Sequence, residues 1–437
     1  DLKIFLILIC VLINMDAIIL TAGKGTRLYP LTKTLPKPLF PIAGRHLLSH
    51  ILDSLQKYVS NVIIVVGHKE HQVRRAIEST NYPFNISWVI QKEQLGTGHA
   101  LSLCKPYIKS NHFLMMYGDI FTSLQTISNI LKQGKTLKGL KGIFAAKKVE
   151  HPSKYGCLLI KDGILESISE KDPNPPSSFI NAGIMVLPLA IFDILRTISE
   201  SVRGEIELTE GINQLIKKGG QLSIHFIDDY WLDIGYPWDI LTANEIAMKN
   251  LETIEQISFP SGVTIDGVLK IADNVIFRPG TYIRGPVVID ENVIVGPNCF
   301  LRPGTYLGKN VYIGNGVEVK NSIILENTTI GHLSYIGDSI IGRGCNFGAG
   351  TKVANLKLDK TEIEMTIKGK RLATGRKKFG VFMGDNVNIG INVSIMPGII
   401  IGDNSHIGAH TLVHQNIPSN TLLYYAPDQG LIQRSNQ

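Results

Sequence analysis

The chain has 437 residues, which is too long for one ordinary hydrophobic core and predicts two or three domains. Its hydrophobic fraction of 44% and charged fraction of 19% exclude a disordered chain, and its formal charge of +7 is not gathered into a tail or onto one helix face. Small anionic substrates fit this charge, and since no segment has the pattern of a nucleic-acid-binding module, we expect no nucleic-acid partner.

The beginning of the chain and its cysteines bear on location. Residues 1–14 contain an apolar stretch, Ile4 to Ile13, that is too short to span a bilayer and lacks a small-residue cleavage site. We expect the functional chain to start at Met15 and residues 1–14 to be an upstream extension, with a short membrane anchor as the alternative. The five cysteines have no paired spacing, which predicts neither disulfides nor a zinc site and indicates a reduced, cytoplasmic setting.

The first predicted strand, Ala17–Leu20, ends in a glycine loop. Gly23 and Gly25 follow it at once, and backbone amides in such a loop can face phosphate oxygens. The glycine spacing fits neither a dinucleotide fingerprint nor a Walker loop. Arg27 and Lys37, the latter between two prolines, add two cations to the segment. The pattern predicts a nucleoside triphosphate site, and the alternative is a surface turn with solvated basic residues.

Apolar runs alternate with helical patterns from residue 15 to about residue 250. This alternation is typical of an α/β sheet domain, which we place at 15–250. The runs that predict strands include Val62–Val66, Phe113–Met116 and Gly183–Leu187, and the patterns that predict helices include Leu47–Tyr58 and Ile206–Lys217.

A repeat begins after a predicted linker at 251–261. Aliphatic-glycine pairs recur there at six residues or multiples of six, which is the period of a parallel β-helix. One aliphatic side chain per hexad is expected to point into a continuous core while glycine forms the tight corners. Ordinary hairpins are the alternative, but their turns would not keep a fixed hexad. The pairs include Val295-Gly296, Leu307-Gly308, Ile313-Gly314, Ile330-Gly331, Ile336-Gly337, Phe347-Gly348, Ile389-Gly390, Ile401-Gly402 and Ile407-Gly408.

This hexapeptide pattern resembles that of left-handed β-helix acyltransferases. The resemblance implies a left-handed β-helix over 262–437 and a homotrimer. The hexads stop between 356 and 380, in a stretch rich in lysine and arginine. We expect this insertion to leave the helix as a loop or arm. It is either a solvated excursion or an element that binds the phosphates of coenzyme A or packs on a neighbouring subunit.

The string from Leu20 to Leu39 resembles the signature of sugar-1-phosphate nucleotidylyltransferases. The resemblance implies a Rossmann-like nucleotidyltransferase domain in which Arg27 stabilises the leaving pyrophosphate and Lys37 positions the attacking phosphate. The string QKEQLGTGHA, from Gln91 to Ala100, resembles the uracil-reading segment of the uridylyltransferases that make UDP-N-acetylglucosamine. The nucleotide-binding residues implied are Leu20, Thr21, Ala22, Gly23, Gln91, Gly96 and Thr97.

Two aspartates are candidates for metal binding. Asp119, in MMYGDI, follows an apolar strand, and Asp233 lies in an Asp-Ile-Gly turn. Taken singly, either one is more often a loop cap than a ligand. Both lie in strings that resemble the metal-binding segments of the same enzymes, which implies that they hold Mg²⁺ and that Asp119 is catalytic.

The sugar side of this site is inferred from three short strings. They are HPSKYGCLLI with Tyr155 and Gly156, SEKDP with Glu170, and FINAGIMV with Asn181. Carboxylate and amide groups suit a polyhydroxylated ligand, although each could equally satisfy backbone in a loop. The strings resemble the positions that hold sugar hydroxyls and an N-acetyl group.

The repeat region contains candidates for a second active site. The string GHLSYIGD places His332 directly after Gly331 and Tyr335 three residues later, and a lone histidine on a β-helix is usually solvated or structural. Together with LRPG, VEVKN, CNFGAG and VAN, it resembles the acetyltransferase half of bifunctional N-acetylglucosamine-1-phosphate uridylyltransferases. The resemblance implies that His332 is a general base. Sugar-phosphate contacts are implied for Arg302, Lys320, Tyr335 and Asn346, and acetyl-CoA contacts for Ala349, Asn355 and Ala409.

Two departures affect the specificity implied. The bacterial enzymes lack the arm at 356–380 and have serine at the position of Ile391, and the string after the arm resembles archaeal bifunctional sugar-1-phosphate nucleotidylyltransferase/acetyltransferases. The expected substrates are therefore UTP or dTTP, glucosamine or galactosamine 1-phosphate, and acetyl-CoA. The alternatives are a monofunctional glucose-1-phosphate uridylyl- or thymidylyltransferase with a structural β-helix and, least favoured, a non-enzymatic sugar-nucleotide-binding scaffold.

Overall fold

The computed structural model describes residues 15–201, 204–251, 259–426, 428 and 430–435. The predicted extension at 1–14 and most of the predicted linker lie outside these residues. No helix in this part of the chain is both long and apolar enough to cross a membrane. Internal packing divides the described residues into two compact units, of which the first holds those in 15–24, 36–39 and 47–233, and the second holds those in 25–35, 40–46 and from 234 onward.

Strands and helices alternate up to residue 249, as the apolar runs predict. The strands are β1 (Met15–Leu20), β2 (Pro41–Ile42), β3 (Arg45–His46), β4 (Val59–Val66), β5 (Asn85–Ile90), β6 (His112–Tyr117), β7 (Ile120–Thr122), β8 (Lys141–Lys148), β9 (Gly156–Lys161), β10 (Ile164–Glu170), β11 (Phe179–Pro188), β12 (Gln221–Phe226) and β13 (Trp231–Asp233). The helices are α1 (Leu47–Leu55), α2 (Glu70–Glu78), α3 (Thr97–Ser102), α4 (Leu124–Gly134), α5 (Ala190–Leu195), α6 (Leu208–Lys217) and α7 (Pro237–Lys249), with 3₁₀ turns at Thr26–Leu28, Leu31–Lys33, Lys37–Leu39, Lys105–Tyr107 and Pro152–Lys154.

The first unit is built on one mixed sheet with the strand order β5-β4-β1-β6-β11-β8-β12-β10-β9. Strands β5, β4, β1 and β6 run parallel, and β11 is antiparallel to both β6 and β8. In this register the last residue of β1, Leu20, lies between Val65 and Tyr117. The carboxyl ends of three parallel strands therefore meet at one edge, where α/β sheets form their ligand sites.

The second unit is a parallel β-helix with three faces. Face 1 consists of β14 (Thr264–Asp266), β17 (Tyr282–Arg284), β20 (Phe300–Leu301), β23 (Glu318–Lys320), β26 (Tyr335–Gly337), β29 (Lys352–Val353), β34 (Ser394–Ile395) and β37 (Leu412–Val413). Face 2 consists of β15 (Leu269–Ile271), β18 (Val287–Ile289), β21 (Thr305–Leu307), β24 (Ile323–Ile324), β27 (Ile340–Ile341), β32 (Val381–Met383) and β35 (Ile399–Ile401). Face 3 consists of β16 (Ile276–Phe277), β19 (Ile294–Val295), β22 (Tyr312–Asn315), β25 (Thr329–His332), β28 (Asn346–Phe347), β33 (Asn388–Ile389), β36 (His406–Ile407), β38 (Thr421–Ala426) and β39 (Gly430–Ser435).

The aliphatic residues of the hexads form the core of the β-helix, as predicted. Ile313, Ile330 and Ile336, for example, are fully buried in one continuous cluster. The glycines of the pairs serve a different purpose from the one predicted, because most of them do not have the positive φ of a tight corner. They allow the coils to approach closely, since a Cβ on Gly390 would stand 2.6 Å from the backbone nitrogen of Ala409 in the next coil.

Asparagines form many of the corners that were assigned to glycine. Asn292, Asn310 and Asn404, among others, have φ between 55° and 59°, a conformation that asparagine tolerates better than most side chains do. Their amides also bond from coil to coil, for example Asn310 Nδ2 to Asn327 Oδ1 at 3.0 Å. These asparagines therefore form the turn and also hydrogen-bond to a neighbouring coil.

Face 2 is apolar on its outer side as well. Val288, Tyr306 and Ile323 are at most 6% exposed although they alternate with the residues that point into the core. Elements that precede the β-helix in the chain lie close to this side. A Cβ on Gly44, between β2 and β3, would stand 2.9 Å from Val288 Cγ1, and Asn244 on α7 donates a 2.9 Å hydrogen bond to the carbonyl of Gly304.

The insertion at 356–380 is an ordered hairpin. Its strands, β30 (Glu364–Ile367) and β31 (Lys370–Ala373), pair antiparallel. Ile363, Met365 and Ile367 are at most 5% exposed, so the arm has an apolar side that packs inside the second unit. The prediction of a solvated excursion is therefore wrong. The alternating pattern from Ile363 to Ile367 buries every second residue, which is the behaviour of a half-buried strand.

Candidate active sites

The phosphate loop leaves the sheet at the end of β1. Thr21 donates from its backbone nitrogen and from Oγ1 to the carbonyl of Val65, at 2.8 and 2.6 Å. The carbonyl of Ala22 accepts a 2.8 Å hydrogen bond from Gln94 Nε2. Gly23 is exposed with open space at its Cβ position, and Gly25 has the left-handed φ of 61°. The first part of the loop is thus fixed by neighbouring strand ends while its glycines stay accessible to a ligand.

The predicted base-reading residues form a second cluster in the first unit. Gln91 is 5% exposed and donates from Nε2 to the carbonyl of Gly96 at 3.1 Å, with His99 Nδ1 3.2 Å away. Gly96 needs its φ of 97° and its missing side chain, because a Cβ would stand 2.7 Å from the carbonyl of Ile206. Among the described residues nothing donates to the side-chain oxygen of Gln91, Oε1, so this oxygen is available as an acceptor.

Lys37 and Asp119 form a short ion pair. Lys37 Nζ lies 2.6 Å from Asp119 Oδ2, and the lysine side chain is 13% exposed. The strand register places Asp233 opposite Ile120, the residue after Asp119. Two carboxylates therefore stand at the ends of paired strands, with an ammonium group on one of them.

This donor set suits a hard divalent cation. No group of three or more histidine, cysteine, aspartate and glutamate residues in the described part of the chain could hold a metal. Mg²⁺ characteristically binds one or two carboxylates and completes its octahedron with water and substrate phosphates. The residues present, Asp119 and Asp233, therefore fit a magnesium ion that is bound together with a nucleotide.

Arg27 lies in the second unit, against an aromatic residue. Its Cζ is 4.9 Å from the centre of the Tyr236 ring, and that ring stacks on Trp238 at 4.6 Å. Gly235 and Tyr236 both donate from their backbone nitrogens to Asp239 Oδ2, which fixes the start of α7. The negative face of the Tyr236 ring attracts the guanidinium and so helps to fix the direction of the Arg27 side chain.

The three predicted sugar contacts converge. Gly156 pairs with Glu170 across β9 and β10, and a Cβ on Gly156 would stand 2.9 Å from Glu170 Oε2 and 3.7 Å from Asn181 Cβ. Asn181 Oδ1 accepts a 2.8 Å hydrogen bond from the backbone of Gly183. Glycine at 156 thus leaves room beside a carboxylate and an amide, the groups that bind sugar hydroxyls.

Tyr117 connects these clusters, and the sequence analysis did not single it out. Its hydroxyl bonds to the side chains of Asn181 and Thr97, and the charges of Glu170 and Asp119 act on it. Burial, and then those two carboxylates, raise the pKa of Tyr117 far above its usual value. Tyr117 therefore keeps its proton and remains a hydrogen-bond donor. Its position at the end of β6, two residues before Asp119, was the available signal.

The predicted acetyl-transfer residues divide into two groups. The first lies on and beside face 1, where Asp338 is 2% exposed and accepts from Lys320 Nζ at 2.7 Å and from Asn321 Nδ2 at 2.8 Å. Asn355 Nδ2 also donates to Asp338 and lies 3.2 Å from the hydroxyl of Tyr335. Asp338 was missed because an aspartate in a turn looks like a cap; its partners are distant in the sequence.

Two neighbours of this group have electrostatic partners of their own. Arg302 NH1 lies 2.7 Å from Glu318 Oε1. Burial raises the pKa of Tyr335, and the charges of Asp338 and Glu318 add to the effect. Tyr335 is therefore a neutral donor, and the group offers donors and a cation to an anionic sugar phosphate.

The second group forms a row on the corner between faces 3 and 1, with one residue per coil. It is joined by backbone hydrogen bonds in which the carbonyl of each row residue accepts from the next coil: Asn315 from Leu333, His332 from Gly350, Ala349 from Asn392 and Ile391 from His410, at 2.8 to 3.2 Å. The residues of this corner row are Asn315, His332, Ala349, Ile391 and Ala409.

The corner row brings together the predicted base and two predicted acetyl-CoA positions. His332 is exposed and pairs with Asn315, and Ala409 lies beside Gly390. Asn346, a predicted sugar contact, is an exposed residue of face 3 that pairs with Thr329 and Asn388. Since coils repeat at about 4.8 Å, the row from His332 to Ala409 is roughly 14 Å long, which suits an extended ligand.

Three family models match consecutive parts of the chain. A family model described as nucleotidyl transferase matches residues 16–250, the GMPPB C-terminal domain matches 283–379, and the bacterial transferase hexapeptide family matches 380–415. A protein of Methanococcus maripaludis strain C7 named bifunctional protein GlmU is 43% identical over 97% of this chain and 100% of its own length. The chain belongs to this family. It therefore combines nucleotidyl transfer with acetyl transfer, and its β-helix is of the left-handed hexapeptide type.

Two further comparisons add detail. A bifunctional sugar-1-phosphate nucleotidylyltransferase/acetyltransferase of Sulfurisphaera tokodaii is 40% identical over 92% of this chain and 98% of its own length. Because this relative carries both activities in its name and the Methanococcus relative is named bifunctional, the monofunctional alternative is less supported. A solved structure titled as a putative glucose-1-phosphate thymidylyltransferase from Bacillus anthracis in complex with a sucrose aligns with a TM-score of 0.50 at 24% identity, covering 55% of this chain and 98% of that one, and supports the nucleotidyltransferase fold alone.

Proposed function

We propose that the β-helix half acetylates glucosamine 1-phosphate or galactosamine 1-phosphate with acetyl-CoA. We further propose that the α/β half couples the N-acetylated product to a nucleotidyl group from UTP or dTTP. The observation that supports the nucleotidyl half of the proposal is the Lys37–Asp119 pair, next to a strand whose partner strand ends at Asp233. The acetyl half is supported by the corner row with His332. The name of the Sulfurisphaera relative, which specifies sugar 1-phosphates, supports the substrate class.

The choice of a uracil or thymine base is supported by Gln91. Its amide nitrogen already donates to Gly96, so the group left for a ligand is the carbonyl oxygen, an acceptor. Uracil and thymine carry a donor at N3, whereas cytosine has an acceptor there, and an acceptor opposite an acceptor leaves both unpaired. Nothing around Gln91 distinguishes UTP from dTTP, so both stay in the proposal.

In nucleotidyl transfer, the sugar phosphate oxygen attacks the α-phosphorus, a new P–O bond forms, and the bond to the β-phosphate oxygen breaks. Lys37 holds the attacking phosphate, and Arg27 stabilises the negative charge on the leaving pyrophosphate. Asp119 and Asp233 would hold magnesium, which when bound neutralises charge on the phosphates. Gly156, Glu170 and Asn181 orient the sugar.

In acetyl transfer, the sugar amine attacks the thioester carbonyl while His332 accepts its proton. The C–N bond forms, the C–S bond breaks, and the leaving sulfur takes the proton from His332, so that coenzyme A leaves as the thiol and the histidine returns to its neutral form. Arg302 and Lys320 hold the phosphate of the amino sugar, and Tyr335 and Asn346 orient its ring. We place the extended arm of acetyl-CoA along the corner row past Ala349 toward Ala409, with Asn355 near it.

A homotrimer is part of the proposal because the corner row is open. His332 is exposed, and the apolar residues Leu333 and Ile391 beside it are 58% and 49% exposed. A general base works best where water is excluded, and another subunit on this corner would exclude it. Mass measurement in solution tests the trimer directly.

Two assays with separate readouts test the proposed function. Release of coenzyme A thiol is followed with acetyl-CoA and either amino-sugar 1-phosphate, and release of pyrophosphate is followed with UTP, dTTP, CTP and GTP against N-acetylated sugar 1-phosphates. We expect thiol release to need His332 and pyrophosphate release to prefer UTP or dTTP over CTP. Absence of thiol release with both amino sugars would overturn the acetyl-transfer proposal, and a preference for CTP or GTP would overturn the base assignment.

A further inference from the structure

The arm at 356–380 is attached to the rest of the second unit by several contacts, which define the position of its tip. Arg376 pairs with Glu245 on α7 and donates to Thr242 Oγ1 at 3.0 Å. Asn416 Nδ2 donates to the carbonyl of Thr366 at 3.1 Å, and a Cβ on Gly398 would stand 2.8 Å from Ile363. Contacts at the base and along β30 therefore fix the hairpin to the second unit.

The tip itself is a tight two-residue turn. Lys368 and Gly369 connect β30 to β31 with φ of 50° and 75°, and Ile367 pairs with Lys370 across the turn. Positive φ at both central residues is typical of the turn that matches the twist of a hairpin. The Lys368 side chain therefore projects from a defined backbone position.

Lys368 reaches the phosphate loop. Its Nζ donates to Thr26 Oγ1, and Thr26 lies between Gly25 and Arg27. In the described part of the chain this ammonium has only that neutral hydroxyl as a partner, whereas Arg371 on the same hairpin pairs with Glu364 at 2.7 Å. An ammonium group without an anionic partner, next to a loop that is proposed to bind phosphates, can itself bind a phosphate oxygen.

We propose that Lys368 binds the polyphosphate of the nucleotide substrate and the pyrophosphate product. The inserted arm then serves nucleotidyl transfer, although it is inserted between coils of the acetyl-transfer half. This assignment rests on nucleotidyl transfer at the phosphate loop. The basic composition of the arm also allowed a role in binding coenzyme A. The hydrogen bond from Lys368, at the tip of the arm, to Thr26 favours the nucleotide instead.

The decisive variant is Lys368→Asn, since asparagine tolerates positive φ and removes the charge without straining the turn. We expect the KM for the nucleoside triphosphate, and for pyrophosphate in the reverse reaction, to rise about tenfold with kcat little changed, as for lost ground-state binding. The KM for the sugar 1-phosphate and the rate of thiol release should not change. Lys368→Arg should restore both KM values.

A matched variant separates binding by Lys368 from the general charge of the hairpin. Lys370→Gln removes a neighbouring exposed charge from the same hairpin. We expect it to keep the pyrophosphate KM close to that of the wild type. An unchanged KM in Lys368→Asn, or an equal rise in Lys370→Gln, would overturn the proposal. Failure of the proposed nucleotidyl transfer itself would show as absence of pyrophosphate release in the wild type.

Discussion

The two candidate active sites are built in opposite ways. In the first unit, the side chains of Gln91 and Lys37 are largely buried. A hydrogen bond to Gly96 holds Gln91 in place, and an ion pair with Asp119 holds Lys37. On the β-helix, His332 and Asn346 are exposed, and their positions are set by the register of repeated coils. The first site is thus defined by tertiary packing around a sheet edge, and the second by a ladder that places one residue per coil. The comparison teaches that a repeat aligns groups accurately but does not by itself enclose them.

The largest effect is expected from Asp119→Asn, which removes the charge that pairs with Lys37. Because metal binding and the position of Lys37 both depend on this carboxylate, pyrophosphate release should fall on the order of 10³-fold. Thiol release should stay within about twofold, since the two proposed sites share no residue. Asp162→Asn, in an exposed turn of the same unit, is the control and should leave both assays unchanged. Loss of both activities in Asp119→Asn would show that the two sites are not independent.

A similar but smaller loss is expected on the β-helix. His332→Ala removes the proposed base, and thiol release should fall about 10²- to 10⁴-fold. Pyrophosphate release from an N-acetylated sugar 1-phosphate should not change. His406→Ala removes another exposed histidine of face 3 and should be silent. If His406→Ala matched His332→Ala, the special role of the corner row would be wrong.

A moderate effect is expected where the second unit holds the segment after Arg27. Thr34 Oγ1 donates to Asp385 Oδ2 at 2.6 Å, and Lys33 Nζ lies 3.4 Å from Asp403 Oδ2. Thr34→Val removes one hydrogen bond, worth about 1 kcal/mol, and should slow pyrophosphate release about fivefold because Arg27 is positioned less well.

The matched control for this variant is Thr136→Val. Thr136 is exposed, and its hydroxyl bonds only to the local carbonyl of Gln133. Equal rates in the two variants would show that the contact with Asp385 does not support nucleotidyl transfer.

The smallest effect concerns the cysteines. Burial raises the pKa of the Cys104 and Cys345 thiols to about 12, so at pH 8 their thiolate fraction is roughly a thousand-fold lower than for a cysteine with the ordinary pKa of about 9. We expect neither residue to react with a thiol reagent in the folded protein, and both to react after unfolding in denaturant. Rapid alkylation of either residue at pH 8 would contradict this burial. Activity should be unaffected throughout.

Periodicity predicted the architecture well. Runs such as Val62–Val66 and the hexads are local signals, and the structure turns them into strands and a β-helix core. The position of Tyr117 two residues before Asp119 was a usable signal, but its bonds to Asn181 and Thr97 join residues far apart in the sequence and could not be predicted. The same holds for the bond between Asp338 and Lys320. The hairpin at 364–373 was predictable in part, since its alternation of apolar and polar residues is a strand signal, but its basic composition favoured a solvated arm.

The apolar outer side of face 2 has a practical consequence for dissecting the protein. Val288 and Tyr306 lie beside Gly44, and the helix that carries Asn244 bonds to the carbonyl of Gly304, so elements that come before residue 250 cover part of this side. A fragment that ends at the predicted linker would carry these elements without the surface they pack on, and the complementary fragment would expose that surface to water. Expressed separately, each fragment should aggregate, and expressed together from two genes they should recover solubility.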